Sequence, residues 1–307
     1  MLLLPDLSKQ SVPVRFVVFI AIMVVAMIVF SVIGLMLSIP IFHITMAQAL
    51  SGEAFIPNVQ NVGILKYLQL VNQLGLFVVP PLIFAWFSGK EDRDFLQIRK
   101  NPGIGLLLLS GLILIAGLPL IDRLLQWNEL MKLPVFLKGV EKWMIDSEKN
   151  ATVITELFLK TNDLKGLMAN LFVMAVVPAI GEEFVFRGVL LKLFREWTGK
   201  KYIAILLSAA IFSAIHLQFL GFVPRFVLGI YLGYLFASSG SIWTSVFAHF
   251  VNNALTVIAA YLFYNGFIKT DYEKFGSTDS WLLLLLSLAI VSGMMFLFNR
   301  LAAKRQS

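Results

Sequence analysis

The chain has 307 residues, of which 59% are apolar and only 14% are charged, and phenylalanine alone occupies 27 positions. This composition is typical of a protein that crosses a membrane several times and excludes an ordinary water-soluble fold. The net charge of +7 does not indicate a nucleic-acid partner, because the basic residues lie in short tracts beside apolar runs. The chain contains no cysteine, which excludes a thiol nucleophile, a disulfide and a cysteine-ligated zinc site.

Apolar runs of about 20 residues predict the membrane spans, because a helix of that length crosses the hydrocarbon core of a bilayer. We expect spans near residues 16–39, 63–87, 103–121, 165–195, 202–219, 222–238, 242–264 and 281–299. No repeat of fixed period and no flexible linker divides the sequence. The prediction is an all-α fold, a polytopic membrane helical bundle of about eight transmembrane helices that forms a single integral membrane domain over residues 1–307.

The distribution of basic residues predicts the topology, because cytoplasmic loops carry an excess of lysine and arginine. The basic loops and tail contain Lys90, Arg93, Arg99 and Lys100; Lys192, Arg195, Lys200 and Lys201; and Arg300, Lys304 and Arg305. Residues 43–61 contain no lysine or arginine, and residues 122–165 balance basic with acidic side chains, which is typical of the outer face. We therefore expect an integral protein of a plasma (inner) membrane with both termini in the cytoplasm.

The outer segment between the third and fourth spans has an amphipathic pattern. Its apolar residues recur every three or four positions among charges, at Trp127, Leu130, Leu133, Phe136, Val140 and Trp143. This spacing predicts helices that lie at the membrane interface, divided by Pro134.

Two adjacent glutamates, Glu182 and Glu183, interrupt the fourth predicted span, where each buried charge would cost roughly 2.5 to 3.5 kcal/mol. Glu183 and Arg187 are four residues apart, so they share a helix face and can form an ion pair. Glu182 points about 100° away and can face a pocket that holds water. The pattern predicts one anchoring and one working carboxylate, and a purely structural ion pair at a helix end is the simpler alternative.

The histidines of the chain can join these glutamates. His216 falls in the fifth predicted span, and His249 and Asn253 share one face of the seventh. At 1.5 Å per residue from the cytoplasmic ends, Glu182 and His216 lie roughly 20 Å deep, and His249 and Asn253 roughly 10 to 17 Å. A lone buried histidine is more often an ordinary core residue, but polar groups at similar depth on three helices favour one site. His43 lies at the outer end of the first span, and we expect it to be an interfacial residue.

Taken in order, the motifs Glu-Glu-x-x-x-Arg, Phe-x-x-x-His and His-x-x-x-Asn resemble those of the CAAX prenyl endopeptidase and bacteriocin-processing (ABI) family of intramembrane proteases. The matching residues are Glu182, Glu183 and Arg187; Phe212 and His216; and His249 and Asn253. The resembling core covers residues 164–265, and the first three spans carry no motif of the family. The resemblance implies a bundle of about eight helices and hydrolysis of a peptide bond near the cytoplasmic face.

The resemblance also implies roles for these residues. Glu182 would act as the general base on a water that His216 also holds, while His249 and Asn253 would stabilise the oxyanion. The buried ion pair and Phe212 would support this arrangement. Glu182, His216 and His249 also form a legitimate zinc set with an open position for water, so a zinc cofactor and a metal-free glutamate mechanism both stay open.

The expected partners are the lipid bilayer and a membrane-associated peptide or protein substrate, for which a prenylated protein is one candidate. A bacteriocin-immunity or peptide-maturation role is an alternative within the same family. A non-catalytic scaffold or a transporter is an alternative of another class, because buried carboxylates and histidines also form proton relays. Transport predicts polar residues that continue toward both faces, whereas these residues share one depth.

Overall fold

The computed structural model describes residues 7–88, 94–130 and 134–306, and within these ranges the regular secondary structure is helical, with no β-strand. The principal helices are α1 (Val12–Phe42), α2 (Met46–Ser51), α3 (Val62–Ser88), α4 (Ile104–Ala116), α5 (Leu118–Glu129), α6 (Lys138–Leu159), α7 (Leu164–Thr198), α8 (Lys201–Ala214), α9 (Phe219–Ser239), α10 (Ile242–Tyr264) and α11 (Trp281–Gln306).

Six of the helices in the described ranges are long and apolar enough to cross a membrane, namely α1, α3, α7, α9, α10 and α11. The bent pair formed by α4 and α5 makes a seventh candidate span, and α8 is a shorter apolar helix of 14 residues. The predicted all-α membrane bundle of about eight spans is therefore confirmed.

The third predicted span, residues 103–121, is not one straight helix. The chain bends by 47° between α4 and α5, at Gly117. Pro119 lies in the first turn of α5, where its missing N–H would have had no partner within the helix. In a continuous helix the carbonyl of Ile115 would need that N–H, which explains why the helix restarts.

The fifth predicted span, residues 202–219, also ends early, because α8 stops at Ala214. The expectation that His216 lies deep inside a helix is therefore wrong. Leu217 has a φ of 54°, in the left-handed region, which ends the helix. The Nδ1–H of His216 then donates to the carbonyl of Phe212 at 2.7 Å, the acceptor that a continuing helix would have paired with a backbone N–H.

The site helices occupy the middle of the bundle. In the most apolar stretch of each span, 11% of the residues of α1 and 17% of those of α11 are buried, against 44% in α9 and 39% in both α7 and α10. The exposed apolar side chains of α1 and α11 suit contact with lipid. Polar groups carried by α7 and α10 are consequently shielded by the outer helices.

Helix α7 approaches α3 closely beside the glutamates. A Cβ atom added to Gly181 would lie 2.9 Å from the Cβ of Phe77, so a larger residue at position 181 would force the helices apart. Phe77 lies in a wide, π-helical turn of α3 that covers Leu74–Val78. Glu182 and Glu183 therefore follow directly after a tightly packed contact between α7 and α3.

The amphipathic outer segment forms α5 and α6, and Pro134 lies between them as predicted. The ring of Trp143 packs against that of Phe219 with 5.2 Å between centroids, which joins α6 to the start of α9. Leu133 lies outside the described residues, as do Lys90 and Arg93 of the basic loop after α3.

The absence of cysteine from the sequence allows a direct test of topology, because a single introduced cysteine is then the sole thiol. Asn58→Cys and Ser277→Cys should react with a membrane-impermeant maleimide added to sealed vesicles in which the outer face of the membrane points outward. Lys200→Cys should react only after the vesicles are permeabilised. The opposite labelling pattern would show that the charge-based topology is inverted.

Candidate active site

The two glutamates lie in α7, where the helix changes from α-helical to π-helical geometry at Phe184. Both are buried: 7% of the surface of Glu182 is exposed, and none of that of Glu183. Wide helical turns of this kind occur frequently at functional sites. Buried carboxylates need partners, and in the described part of the chain Glu183 accepts hydrogen bonds whereas Oε2 of Glu182 does not.

Glu183 is held by two donors at one oxygen. Its Oε1 accepts a hydrogen bond of 2.7 Å from Arg187 and one of 2.9 Å from the Nδ1–H of His249. Arg187 is fully buried and also donates to the carbonyl of Gly229 at 3.0 Å. A Cβ atom on Gly229 would lie 2.9 Å from the Cβ of Ala209, so glycine permits the close approach of α9 to α8.

The ring of Phe212 contacts Arg187 and both site imidazoles. The guanidinium carbon of Arg187 lies 4.7 Å from the ring centroid, within range of a cation–π interaction. The rings of His216 and His249 stand edge-on to it, with centroids at 5.1 Å and 5.7 Å. Phe212 therefore contacts three of the predicted site residues, which suits the supporting role expected for it.

The hydrogen bonds determine the tautomer of each site histidine. The acceptors are a carbonyl for His216 and a carboxylate for His249, and neither can donate, so Nδ1 carries the hydrogen in both rings. In the neutral form each Nε2 atom is then an acceptor. These Nε2 atoms lie 4.0 Å (His216) and 3.8 Å (His249) from Oε2 of Glu182.

The Oε2 atom of Glu182 is buried and has no hydrogen-bond partner. The distances of 3.8 Å and 4.0 Å to the imidazoles are too long for direct hydrogen bonds but leave space for a small species between the three atoms. A water molecule can donate to only two acceptors. The buried group of two glutamates, Arg187 and two neutral histidines carries one net negative charge. A bound proton or cation would neutralise this charge and would also pair with the one acceptor of the three that a water molecule cannot reach with a hydrogen.

The donor types also suit zinc, because two imidazole nitrogens and a carboxylate oxygen are common zinc ligands. Tetrahedral zinc would place its ligand atoms about 3.3 Å apart, whereas Oε2 of Glu182 is 3.8 Å and 4.0 Å from the imidazole nitrogens. Across residues 7–88, 94–130 and 134–306 no group of three or more histidine, aspartate or glutamate side chains has the arrangement of a metal site. Zinc would therefore require the three ligands to move closer together.

Two further residues named by the sequence analysis stand apart. Asn253 is half-buried, one turn beyond His249, and its side-chain oxygen accepts from Asn252 at 3.1 Å. Within the described part of the chain no hydrogen bond joins Asn253 to either glutamate or histidine of the site. His43 is exposed at the end of α1, where the sequence analysis expected an interfacial residue.

Arg225 was not predicted as a site residue, although a single arginine within the sixth predicted span indicates a special environment. Its guanidinium donates to the backbone carbonyl of Gln218 at 2.9 Å and to the side-chain oxygen of Gln218 at 3.2 Å. It also lies near enough to Glu182 and Glu148 for electrostatic attraction. Arg225 therefore connects the site to a cavity that Arg225 and Gln218 line.

A cavity of about 620 Å³ lies beside Arg225. Gln218 and Arg225 line it, together with residues of α5, α6, α10 and the turn around Tyr272. Its carboxylates are those of Asp122, Glu129, Glu148 and Glu273. Burial and the neighbouring carboxylates raise the pKa of Glu273 above its usual value, so this carboxyl takes up a proton more readily than a free one.

Comparison with known proteins yields one finding. Residues 164–255 match the family model described as Type II CAAX prenyl endopeptidase Rce1-like, which confirms the family resemblance over this segment. The matched segment contains both glutamates, Arg187 and both site histidines. No curated protein and no solved structure matches the chain.

The ion pair of Glu183 and Arg187 can be tested through stability. Arg187→Ala should lower the free energy of unfolding by about 3 to 5 kcal/mol, because it leaves a fully buried carboxylate without its cation. Arg187→Lys keeps the charge and should lose less. The measurement is denaturant or thermal unfolding of the purified chain in detergent.

Arg300→Ala is the matched control, because Arg300 is an exposed arginine of α11. Its removal should change the unfolding free energy by less than about 0.5 kcal/mol. An Arg187→Ala protein as stable as this control would show that the ion pair does not hold the site.

Proposed function

We propose that this chain, of which residues 164–255 match the Rce1-like family of type II CAAX prenyl endopeptidases, hydrolyses a peptide bond at Glu182, His216 and His249. The observation that carries the proposal is the convergence of two imidazole Nε2 atoms on the unpartnered Oε2 of Glu182. A buried carboxylate without a partner is unfavourable for stability, and such groups are concentrated at functional sites.

In the proposed reaction, Glu182 and the Nε2 atom of His216 hold a water molecule. Glu182 takes a proton from this water as its oxygen attacks the carbonyl carbon of the substrate. The same carboxyl then delivers that proton to the leaving nitrogen as the carbon–nitrogen bond breaks. The apolar helices around the site strengthen these electrostatic interactions because they exclude bulk water.

His249 is proposed to stabilise the oxyanion, with Glu183 as its positioning partner. Its Nδ1–H is already bound to Glu183, so Nε2 can donate to an oxyanion only when the ring carries a second proton. The carboxylate of Glu183 stabilises that imidazolium, in the manner of other carboxylate–histidine pairs. Asn253 accepts from Asn252 through its side-chain oxygen, so its amide N–H groups would be the donors to the same oxyanion.

Should zinc bind, Glu182, His216 and His249 would hold it, and the ion would supply Lewis acidity to the bound water. The roles proposed above concern the side chains themselves. The long distances from Glu182 to the two imidazoles suit a water molecule better than a zinc ion.

A membrane protease of this family acts on a membrane-associated substrate. We propose that the peptide lies in the 620 Å³ cavity that Arg225 lines, and that a prenylated carboxyl-terminal peptide is the first substrate to test. The resemblance implies access from the cytoplasmic side, whereas α5 and α6, which form this cavity, belong to the segment assigned to the outer face. The cysteine-labelling experiment therefore also decides from which face the peptide enters.

The proposed chemistry predicts a sharp loss of cleavage in three variants. Glu182→Gln, His216→Gln and His249→Gln should each lower kcat by roughly 10² to 10⁴, because each removes a group that handles a proton or the oxyanion. The assay uses the purified chain in lipid vesicles with a prenylated peptide and, in parallel, an unprenylated peptide on an acyl anchor. Cleavage is followed by mass spectrometry, with and without a metal chelator.

His43→Asn is the matched control, since asparagine tolerates the left-handed backbone of that histidine, and it should retain full activity. Activity that survives the chelator and disappears in Glu182→Gln supports the metal-free glutamate mechanism. Activity lost with the chelator and restored by zinc would assign the metal route instead. Cleavage by Glu182→Gln at the wild-type rate would refute the proposed function.

A further inference from the structure

A second cavity, of about 760 Å³, lies at the other ends of the site helices. It is bordered by the start of α4 and of α10 and by the ends of α7, α9 and α11. Four cationic side chains line it, from two helices and one loop: Lys100, Lys192, Arg195 and Arg305. These are the helix ends that the charge pattern assigns to the cytoplasmic membrane surface.

Among the residues that the structure describes, no carboxylate lines this cavity. The nearby Glu196 is already paired with Arg15 of α1 at 2.6 Å, and the carboxylate of Asp94 accepts from the backbone N–H groups of Ile98 and Arg99. Over the described ranges, no salt bridge joins Lys100, Arg195 or Arg305 to an acidic side chain. Within these ranges the positive charges of Lys100, Arg195 and Arg305 are therefore not neutralised by a salt bridge.

The backbone adds further positive potential. The helices α4 and α10 both begin at the cavity, after Gly103 and Ser241, and the N-terminal N–H groups of a helix carry partial positive charge. The hydroxyl of Ser241 donates to the carbonyl of Lys100 at 2.5 Å, which holds the two helix starts together. Lys192 lies against the rings of Phe95 and Phe236, which positions its ammonium group at the wall.

We propose that this cavity binds a phosphate group, supplied by the head group of an anionic membrane lipid. Basic pockets between membrane helices at the cytoplasmic surface have the charge and the location that such head groups require. The exposed apolar residues on the outer helices lie within reach of the acyl chains of the same lipid. Free phosphate shares the head-group chemistry but lacks those chains.

The test measures lipid retention and thermal stability of the full-length chain in nanodiscs. The lipids are phosphatidylcholine alone, phosphatidylcholine with phosphatidylglycerol, and phosphatidylcholine with inorganic phosphate in the buffer. Native mass spectrometry counts the retained phosphatidylglycerol, and thermal unfolding gives the Tm. Each measurement is repeated on the double variant Arg195→Gln and Arg305→Gln.

The matched control is the double variant Lys200→Gln and Arg300→Gln, which removes two exposed charges near the same helix ends but outside the cavity lining. We expect phosphatidylglycerol to raise the Tm of the wild type and of this control. The affinity of phosphatidylglycerol for the cavity double variant (Arg195→Gln and Arg305→Gln) should be lower by roughly an order of magnitude or more, because each basic contact contributes about 1 kcal/mol.

An equal rise in Tm for all three proteins would overturn the proposal, because the effect would then come from general surface charge. No rise in the wild type would overturn it as well. A full rise with inorganic phosphate alone, lost in the cavity double variant, would confirm the phosphate site and assign free phosphate as its ligand. Peptide cleavage is not part of this readout, so failure here leaves the proposed catalytic function unaffected.

Discussion

The buried carboxylate of Glu183 constrains the positions of the other site residues. It lies fully inside the bundle and can remain charged there only with cationic and hydrogen-bonding partners. Arg187 supplies the charge, and Arg187 in turn requires the carbonyl of Gly229 on α9. His249 supplies the second hydrogen bond from α10. One carboxylate thereby fixes α7, α9 and α10 relative to each other.

The contacts of Glu183 also determine which groups Glu182 faces. Its neighbour takes both donors, so Glu182 faces the imidazole Nε2 atoms with one oxygen unpartnered. The left-handed turn at Leu217 has an equally specific effect, because it ends α8 and turns the imidazole of His216 onto the carbonyl of Phe212. The rigid framework holds both nitrogens near one oxygen before any substrate binds. Such preorganisation is how protein sites lower the barrier of a reaction that develops charge.

The sequence predicted the helical class, the approximate spans and the pairing of Glu183 with Arg187, because hydropathy and i, i+4 spacing are local properties. It did not predict that α8 ends before His216, nor the bend at Gly117, because each depends on how a turn fits against other helices. The partner of Arg187 on α9, a backbone carbonyl, has no side-chain signature at all. Arg225 did have one, since a charge inside an apolar span indicates a special environment. The division of the glutamates into an anchoring and a working residue was predicted from their angular separation; the pairing of Glu183 with Arg187 is observed, and the working role of Glu182 stays a prediction.

The family match covers residues 164–255, and the helices before it provide the outer packing of the site without any family signature. The basic cavity and the acidic cavity lie at opposite ends of the same central helices, so lipid contact and peptide binding are assigned to separate surfaces. Both assignments follow from side chains that the bundle brings together from distant parts of the chain.

The central claim is that Glu183 holds His249 through Nδ1, so that Nε2 faces Glu182. Nitrogen-15 NMR of the purified chain with labelled histidine tests it most directly, because ring nitrogens with and without hydrogen have distinct chemical shifts. The chain has three histidines, and His43→Asn and His216→Gln variants assign their signals. The account predicts a protonated Nδ1 in His249, whatever the state of Nε2. An unprotonated Nδ1 with a protonated Nε2 would contradict it, because Glu183 could then not accept the hydrogen bond that positions the ring.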